Sequence, residues 1–226
     1  MLKAIFFDFG GVVTERPFEA FSSLQKERGL PINFIREINS TNPHENAWAQ
    51  LERGEISPEQ FDVMFANEAS SRGHQISGKT VLQRVFTPIR GDMVELIQQY
   101  AAKFKLACLT NNFPITDSLI ELMGNHRYEE WQSALKLFEY VIESAKLGVR
   151  KPETQFFSEA CRITQAEPDE VIFLDDIGSN LKPAREMGMT TIKVASSRQA
   201  IDDLRVEHRR PHGRAAADRR VPARGL

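Results

Sequence analysis

The chain has 226 residues, 41% hydrophobic and 27% charged, enough to bury a core without disulfide or metal staples. Its formal charge of −2 comes from 29 basic and 31 acidic side chains, but residues 205–226 hold seven arginines against two acids, a net +5 that leaves −7 on the body. Two cysteines, Cys108 and Cys161, exclude a disulfide framework and a zinc ribbon and fit a reducing, cytoplasmic setting; no apolar run reaches membrane-spanning length, and the acidic body lacks the basic face of a nucleic-acid binder.

Residues 2–7 (LKAIFF) form a short apolar run that ends at Asp8 and Gly10-Gly11. A run of that length bounded by glycine predicts a buried strand. The stretch from Thr14 to Lys103 holds no convincing strand. Phe18, Phe21 and Leu24-Gln25 line one face of a first helix there, and Ser57-Pro58-Glu59-Gln60 is a capping box before Phe61, Met64 and Phe65 at helical spacing. So long a segment predicts a helical insert, residues 15–90, rather than a loop. Trp48, Leu51 and Phe61 are expected in its core, while Tyr128 and Trp131, in a polar stretch, read as surface anchors.

After the insert, a helix over 92–102 precedes a strand over 104–109 (FKLACL), with Cys108 as a buried strand thiol. A weaker strand signal lies at 138–143 (FEYVIE). A helix over 153–162 follows Lys151-Pro152, with the proline placed at the helix start. A strand over 171–174 (VIFL), a helix over 180–187 stopped by Gly188, and a strand over 190–194 (TTIKV) complete the body. Alternation of strands and helices predicts an α/β fold with a doubly wound parallel sheet. Its core comprises residues 1–14 and 91–204. Residues 205–226, rich in Arg, Pro, Ala and Gly, read as a disordered basic tail.

Polar residues stand at three strand ends: Asp8, then Thr110-Asn111-Asn112, then Asp175-Asp176 followed by Asn180. In a parallel sheet these converge on the carboxyl edge, where ligands bind. Lys151 joins them from a loop. Several carboxylates in one cleft call for a divalent cation, and oxygen-only ligands favour Mg²⁺. A lysine ammonium and a threonine hydroxyl suit the oxygens of a phosphoryl group. The glycines after Asp8 allow a close backbone approach to an anion. A carboxylate beside a bound phosphate can act as nucleophile. The set points to phosphoryl transfer on a small phosphorylated substrate.

In their order and separation these motifs resemble the haloacid dehalogenase superfamily of hydrolases over about residues 1–205. The wording around them is nearest to the branch that includes the phosphatase domain of soluble epoxide hydrolases and the N-terminal domain of acyl-CoA dehydrogenase family member 10. The resemblance implies a Rossmannoid core and a cap subdomain after the first strand. It implies Asp8 as nucleophile and Lys151 as the neutralising lysine. Thr110, Asn111 and Lys151 would bind the phosphoryl group. Asp8, the Gly10 backbone carbonyl and Asp176 would hold Mg²⁺, with Asp175 and Asn180 supporting them. The implied reaction is hydrolysis of a phosphate monoester through an aspartyl phosphate.

One position departs from the pattern. The family's Asp-x-Asp is Asp8-Phe9-Gly10 here. Glycine keeps the metal-facing carbonyl and loses the carboxylate that serves as general acid and base, help typically worth about 10²–10⁴-fold. Slower turnover, a preference for leaving groups that need little protonation, and loss of catalysis are all open outcomes. Two competing readings follow: a metal-independent 2-haloacid dehalogenase, whose halide leaves without a proton, and an interaction module that kept the fold.

Overall fold

Apolar runs that are buried on both faces favour parallel pairing, and all five strands pair that way. In a computed structural model of the chain, which describes residues 1–210, they are β1 (Ala4–Phe7), β2 (Lys105–Thr110), β3 (Tyr140–Glu143), β4 (Val171–Asp175) and β5 (Thr190–Lys193). They form one sheet in the order β3-β2-β1-β4-β5. The weak signal at 138–143 is the edge strand β3. β1 is central, paired with β2 on one side and β4 on the other. That is the topological switch point of a doubly wound sheet, where a crevice opens at the carboxyl ends.

Five helices form the insert after β1: α1 (Pro17–Glu27), α2 (Phe34–Ser40), α3 (Ala47–Glu52), α4 (Pro58–Ser70) and α5 (Gly78–Gln83). The Ser57–Gln60 capping box is present at the start of α4. The remaining helices are α6 (Gly91–Ala101), α7 (Asp117–Met123), α8 (Asn125–Leu135), α9 (Ser144–Leu147), α10 (Thr154–Thr164), α11 (Gly178–Glu186) and α12 (Ser197–Glu207).

Side chains alternate across the sheet and make two cores. Ile5, Phe7, Cys108 and Leu174 pack under α6 and α12, through Leu96, Ile97 and Leu204. Phe6, Ala107, Leu109 and Phe173 pack under α10 and α11, through Phe156, Phe157 and Leu181. The insert has a third core of its own, with Leu24, Ile35, Leu51, Phe61 and Phe65, and this core takes in Phe113 and Leu119 from beyond β2. Trp48 packs edge-on against Phe21 and Phe61. The two chain crossings into and out of the insert pair with each other. Thr14 and Ile89 form an antiparallel bridge, and the Glu15 N–H donates to the Pro88 carbonyl at 2.7 Å.

Several expectations need correction. Phe18 is exposed rather than on the buried face of α1, which is carried by Leu24 and Gln25. Trp131 is no surface anchor: its ring meets Phe9 and Phe86 edge-on and its indole N–H donates to the Thr87 carbonyl at 2.9 Å. Pro152 is not the first residue of α10; Glu153 caps that helix, and Pro152 stands before it in a cis peptide with Lys151. The helix after β4 begins at Gly178, so Asn180 lies within its first turn.

The boundary at residue 205 also moves. α12 continues through Arg205 to Glu207 because Leu204 is buried and His208 seals the helix end, its ring lying edge-on to Tyr100 with Nδ1 3.0 Å from the Tyr100 hydroxyl. The rest of the expected basic tail, residues 211–226, lies outside the described residues. Truncation after Leu204 should therefore lower the thermal midpoint relative to truncation after Arg210, and calorimetry on the two shortened chains measures the difference.

Candidate active site

The register of the sheet brings the polar strand ends together. Phe7 pairs with Cys108 on β2 and Leu174 on β4, so the next residue, Asp8, stands between Leu109 and Asp175. Thr110 ends β2 one residue further on and is buried. The carboxylates of Asp8, Asp175 and Asp176 come within 4.8 Å of one another. Like charges this close in a buried crevice are unfavourable unless cations lie among them.

Lys151 is one such cation. Only 1% of it is exposed, and its Nζ lies 2.7 Å from Asp8 Oδ1, 3.0 Å from Asp175 Oδ2 and 2.8 Å from the Leu109 carbonyl. Three acceptors match its three N–H donors. Burial alone pulls the ammonium pKa down, but Asp175 and Asp8 together outweigh it and hold Lys151 above the ordinary lysine value. Asp8 is pushed well above the usual carboxylate value, first by burial, with Lys151 opposing and Asp175 and Asp176 adding to the rise.

Asp175 and Asp176 are adjacent in sequence and differ in environment. Asp175 is fully buried and engaged by protein donors on both oxygens: Lys151 at 3.0 Å, the Ile177 N–H at 2.7 Å and Asn180 Nδ2 at 3.2 and 3.0 Å. Asn180, carried on the first turn of α11, thus orients Asp175. Asp176 points instead toward the turn after β1. Its carboxyl is raised to about 6 by burial and by Asp175, with Arg16 and Lys151 opposing.

The turn Phe9–Val13 shapes the floor of the crevice. Asp8 accepts the Phe9 N–H at 2.6 Å. Gly11 has φ +78°, and a Cβ there would stand 2.5 Å from Asp176 Oδ2. Glycine is required on both counts. Gly10 differs: its φ of −69° suits any residue, and a Cβ would meet nothing within 4 Å. The missing second carboxylate is therefore a change of chemistry and not a demand of the backbone.

Asn111 faces the loop of Lys151 rather than the carboxylates. Its Nδ2 donates to the Lys151 carbonyl at 2.9 Å and its Oδ1 accepts the Lys151 N–H at 2.9 Å. Cys108 lies beneath Asp8 in the core, and burial raises its thiol far above the ordinary value, so no thiolate is at hand for nucleophilic chemistry.

Two residues beside the site escaped the sequence reading. Arg16 Nε lies 3.2 Å from Asp176 Oδ2, and its guanidinium also donates to the Val194 carbonyl. Nothing distinguishes it in sequence from the other basic residues. Glu52, at the end of α3, is buried, and its carboxylate meets Trp48 Nε1 at 2.7 Å, Asn111 Nδ2 at 3.1 Å and Arg150 Nε at 2.6 Å. The spacing of Trp48 and Glu52 by four hinted at their contact, but the partners across the junction are 59 and 98 residues away in sequence.

Comparison with known proteins agrees with this architecture. The chain is 29% identical over 217 residues to bifunctional epoxide hydrolase 2 of Mus musculus, spanning 90% of this chain and 38% of that protein. It is 29% identical over 212 residues to acyl-CoA dehydrogenase family member 10 of Mus musculus, spanning 89% of this chain and 19% of that protein. The chain thus spans well under half the length of both. A sesquiterpene phosphatase of Aspergillus oryzae is 25% identical over 206 residues, covering 90% of this chain and 95% of that one. Among solved structures, a predicted HAD-like family hydrolase from Porphyromonas gingivalis superposes with a TM-score of 0.66 at 21% identity, over 93% of this chain and all of that one. A HAD family enzyme from Bacteroides thetaiotaomicron, in complex with magnesium and inorganic phosphate, superposes with a TM-score of 0.55 at 21% identity, over 85% of this chain and 94% of that one. Among the described residues no helix is long and apolar enough to cross a membrane. A family model of haloacid dehalogenase-like hydrolases matches residues 2–188, and the chain belongs to that family.

Proposed function

We propose that the protein is a Mg²⁺-dependent phosphatase acting on small phosphate monoesters through an aspartyl phosphate on Asp8. The observation that carries this reading is the contact of Asp8 Oδ1 with the buried Lys151 ammonium inside a cluster of three carboxylates. A lysine so placed orients the nucleophile and offers charge to an incoming phosphoryl group. The donors in the cluster are all oxygen, which fits Mg²⁺. Asp175 is committed to Lys151, Asn180 and a backbone N–H, so Asp8 and Asp176, with the Gly10 carbonyl, are the groups that would hold the cation. When bound, the cation offsets the carboxylate charge and polarises the phosphoryl oxygens. The phosphatase relative of similar length, and the fold neighbour holding magnesium and phosphate, support the same reading.

In the proposed reaction the Asp8 carboxylate attacks phosphorus and the ester P–O bond breaks. Thr110 binds a phosphoryl oxygen, and Lys151 turns one N–H from Asp8 to another as the Asp8 carboxylate loses its charge in bonding to phosphorus. With glycine at position 10, the leaving oxygen takes its proton from solvent. Water then attacks phosphorus, releasing inorganic phosphate and restoring Asp8. The dehalogenase alternative has fold neighbours of its own, but halide displacement needs neither the third carboxylate of the cluster nor a cation among them.

Three outcomes are expected. Asp8→Asn should abolish turnover of an aryl phosphate in Mg²⁺ while circular dichroism stays that of the native fold. Equal rates in the two proteins would remove the assignment. Gly10→Asp fits the open space at that position and should speed hydrolysis of alkyl phosphates by up to about 10²–10⁴-fold, with a smaller gain on aryl esters whose leaving groups need little protonation. Paired steady-state assays on the two ester types test this.

The third concerns pH. Asp176 rises to about 6 in the fold, above its unfolded value. In the metal-free protein its contribution to stability is thus fully present below about pH 4 and is lost as pH rises through about 6. Mg²⁺ competes with that proton. The rise in thermal midpoint on adding MgCl₂ should therefore be small at pH 5 and larger at pH 7.5. A rise equal at both pH values would place the cation elsewhere.

A further inference from the structure

Among the contacts between the insert and the strand-end loops, which include the Arg150 guanidinium donating to the Pro43 carbonyl at 3.1 Å, one is a buried carboxylate. Glu52 is 7% exposed and ends α3. From within the insert, Trp48 Nε1 donates to its Oε1 at 2.7 Å and fixes the side chain. Across the junction, Oε2 accepts Asn111 Nδ2 at 3.1 Å and forms an ion pair with Arg150, whose Nε lies 2.6 Å away. The Glu52 main-chain carbonyl accepts the Ser144 hydroxyl, which also takes the Asn112 N–H at 3.0 Å. Two residues later, Gly54 sits so close to the Ala145 carbonyl that a Cβ would stand 2.6 Å from it. One short segment of the insert is thereby keyed into the loop after β2, the start of α9 and the loop of Lys151.

We propose that Glu52 is a positioning residue for the phosphoryl-binding pair, coupling the docking of the insert to the placement of Thr110 and Lys151. This rests on the phosphatase reading above. The residues that Glu52 holds are the immediate neighbours of that pair: Asn111 follows Thr110, and Arg150 precedes Lys151. Asn111 transmits the constraint directly, because its amide clamps both the N–H and the carbonyl of Lys151. A buried carboxylate is tolerated only with its partners in place. Displacing the insert strips Glu52 of Asn111 and Arg150 together, and the clamp on Lys151 loses its outer anchor. The site is then fully organised only when the insert is docked on these loops.

The test pairs a kinetic readout with one that needs no turnover. Glu52→Gln keeps a single acceptor oxygen, for Trp48 or for Asn111, sets an NH₂ against the other donor and loses the charge facing Arg150; Glu52→Ala loses both acceptors and the charge. Asp62→Ala is the control. It removes the 2.7 Å acceptor of the Lys79 N–H inside the insert, away from the junction. With para-nitrophenyl phosphate and Mg²⁺, kcat should fall about 10- to 100-fold in Glu52→Ala and less in Glu52→Gln, with Asp62→Ala near the wild-type rate. Amide exchange across residues 110–112 and 150–151 should be at least about tenfold faster in Glu52→Ala and unchanged in Asp62→Ala.

A Glu52→Ala protein with kcat within about twofold of wild type overturns the proposal. So does unchanged exchange at those residues, or an equal loss of kcat in Asp62→Ala, which would mean general loosening of the insert. If the wild-type chain does not cleave the ester, it is the phosphatase reading that fails, and the exchange data alone decide the coupling. If Glu52→Ala does not fold, the same comparisons are made with Glu52→Gln, and wild-type kcat and exchange in that variant overturn the proposal.

Discussion

A single ammonium group fixes the layout of this site. Lys151 is buried beneath the crevice and spends its three donors on Asp8, Asp175 and the Leu109 carbonyl. Removing one partner of a buried ion pair leaves an uncompensated charge, at a cost of about 3–5 kcal/mol. The carboxylates and the lysine therefore depend on each other. Asn180 and the Ile177 N–H hold Asp175, Asp175 and Asp8 hold Lys151, and Asn111 holds the Lys151 main chain. What stays available is the Asp8 carboxylate, poised at the end of the central strand, and Asp176 at its side.

That arrangement also locates the chemical weakness of the protein. The backbone at Gly10 is ordinary and the space around it is open, so nothing in the fold forbids an acid there. At Gly11 the opposite holds: the conformation and the nearness of Asp176 leave no room for any side chain. Two neighbouring glycines thus have different reasons to be glycine. One permits the turn that brings the first strand end against Asp176. The other leaves position 10 without a carboxylate, so that in the proposed phosphatase reaction the departing group would depend on its own basicity.

Much of this was legible in the sequence. The strands announce themselves as apolar runs because both their faces are covered. Asp8, Thr110 and the Asp175-Asp176 pair were found because parallel strands end on one edge, and Lys151 by its place in the resemblance. The misreadings have a common cause. Trp131 looked solvent-facing because its sequence neighbours are polar, yet Phe9 and Phe86 come to it from distant parts of the chain. The end of the body was set too early because composition turns basic at Arg205, while the helix persists as far as its buried Leu204 and the aromatic seat of His208 require.

The sequence by itself determined the sheet, the helical insert, and the polar strand ends Asp8, Thr110 and Asp175-Asp176, since these follow from hydrophobic period, strand length and the chemistry of strand ends. Only the tertiary structure decided how the two adjacent aspartates divide their roles, because that depends on which donors surround each oxygen. It likewise decided that Arg16 lies against Asp176 and that Glu52 reaches Asn111 and Arg150. Those contacts join segments far apart in the chain, and their geometry exists only once the insert has packed against the edge of the sheet.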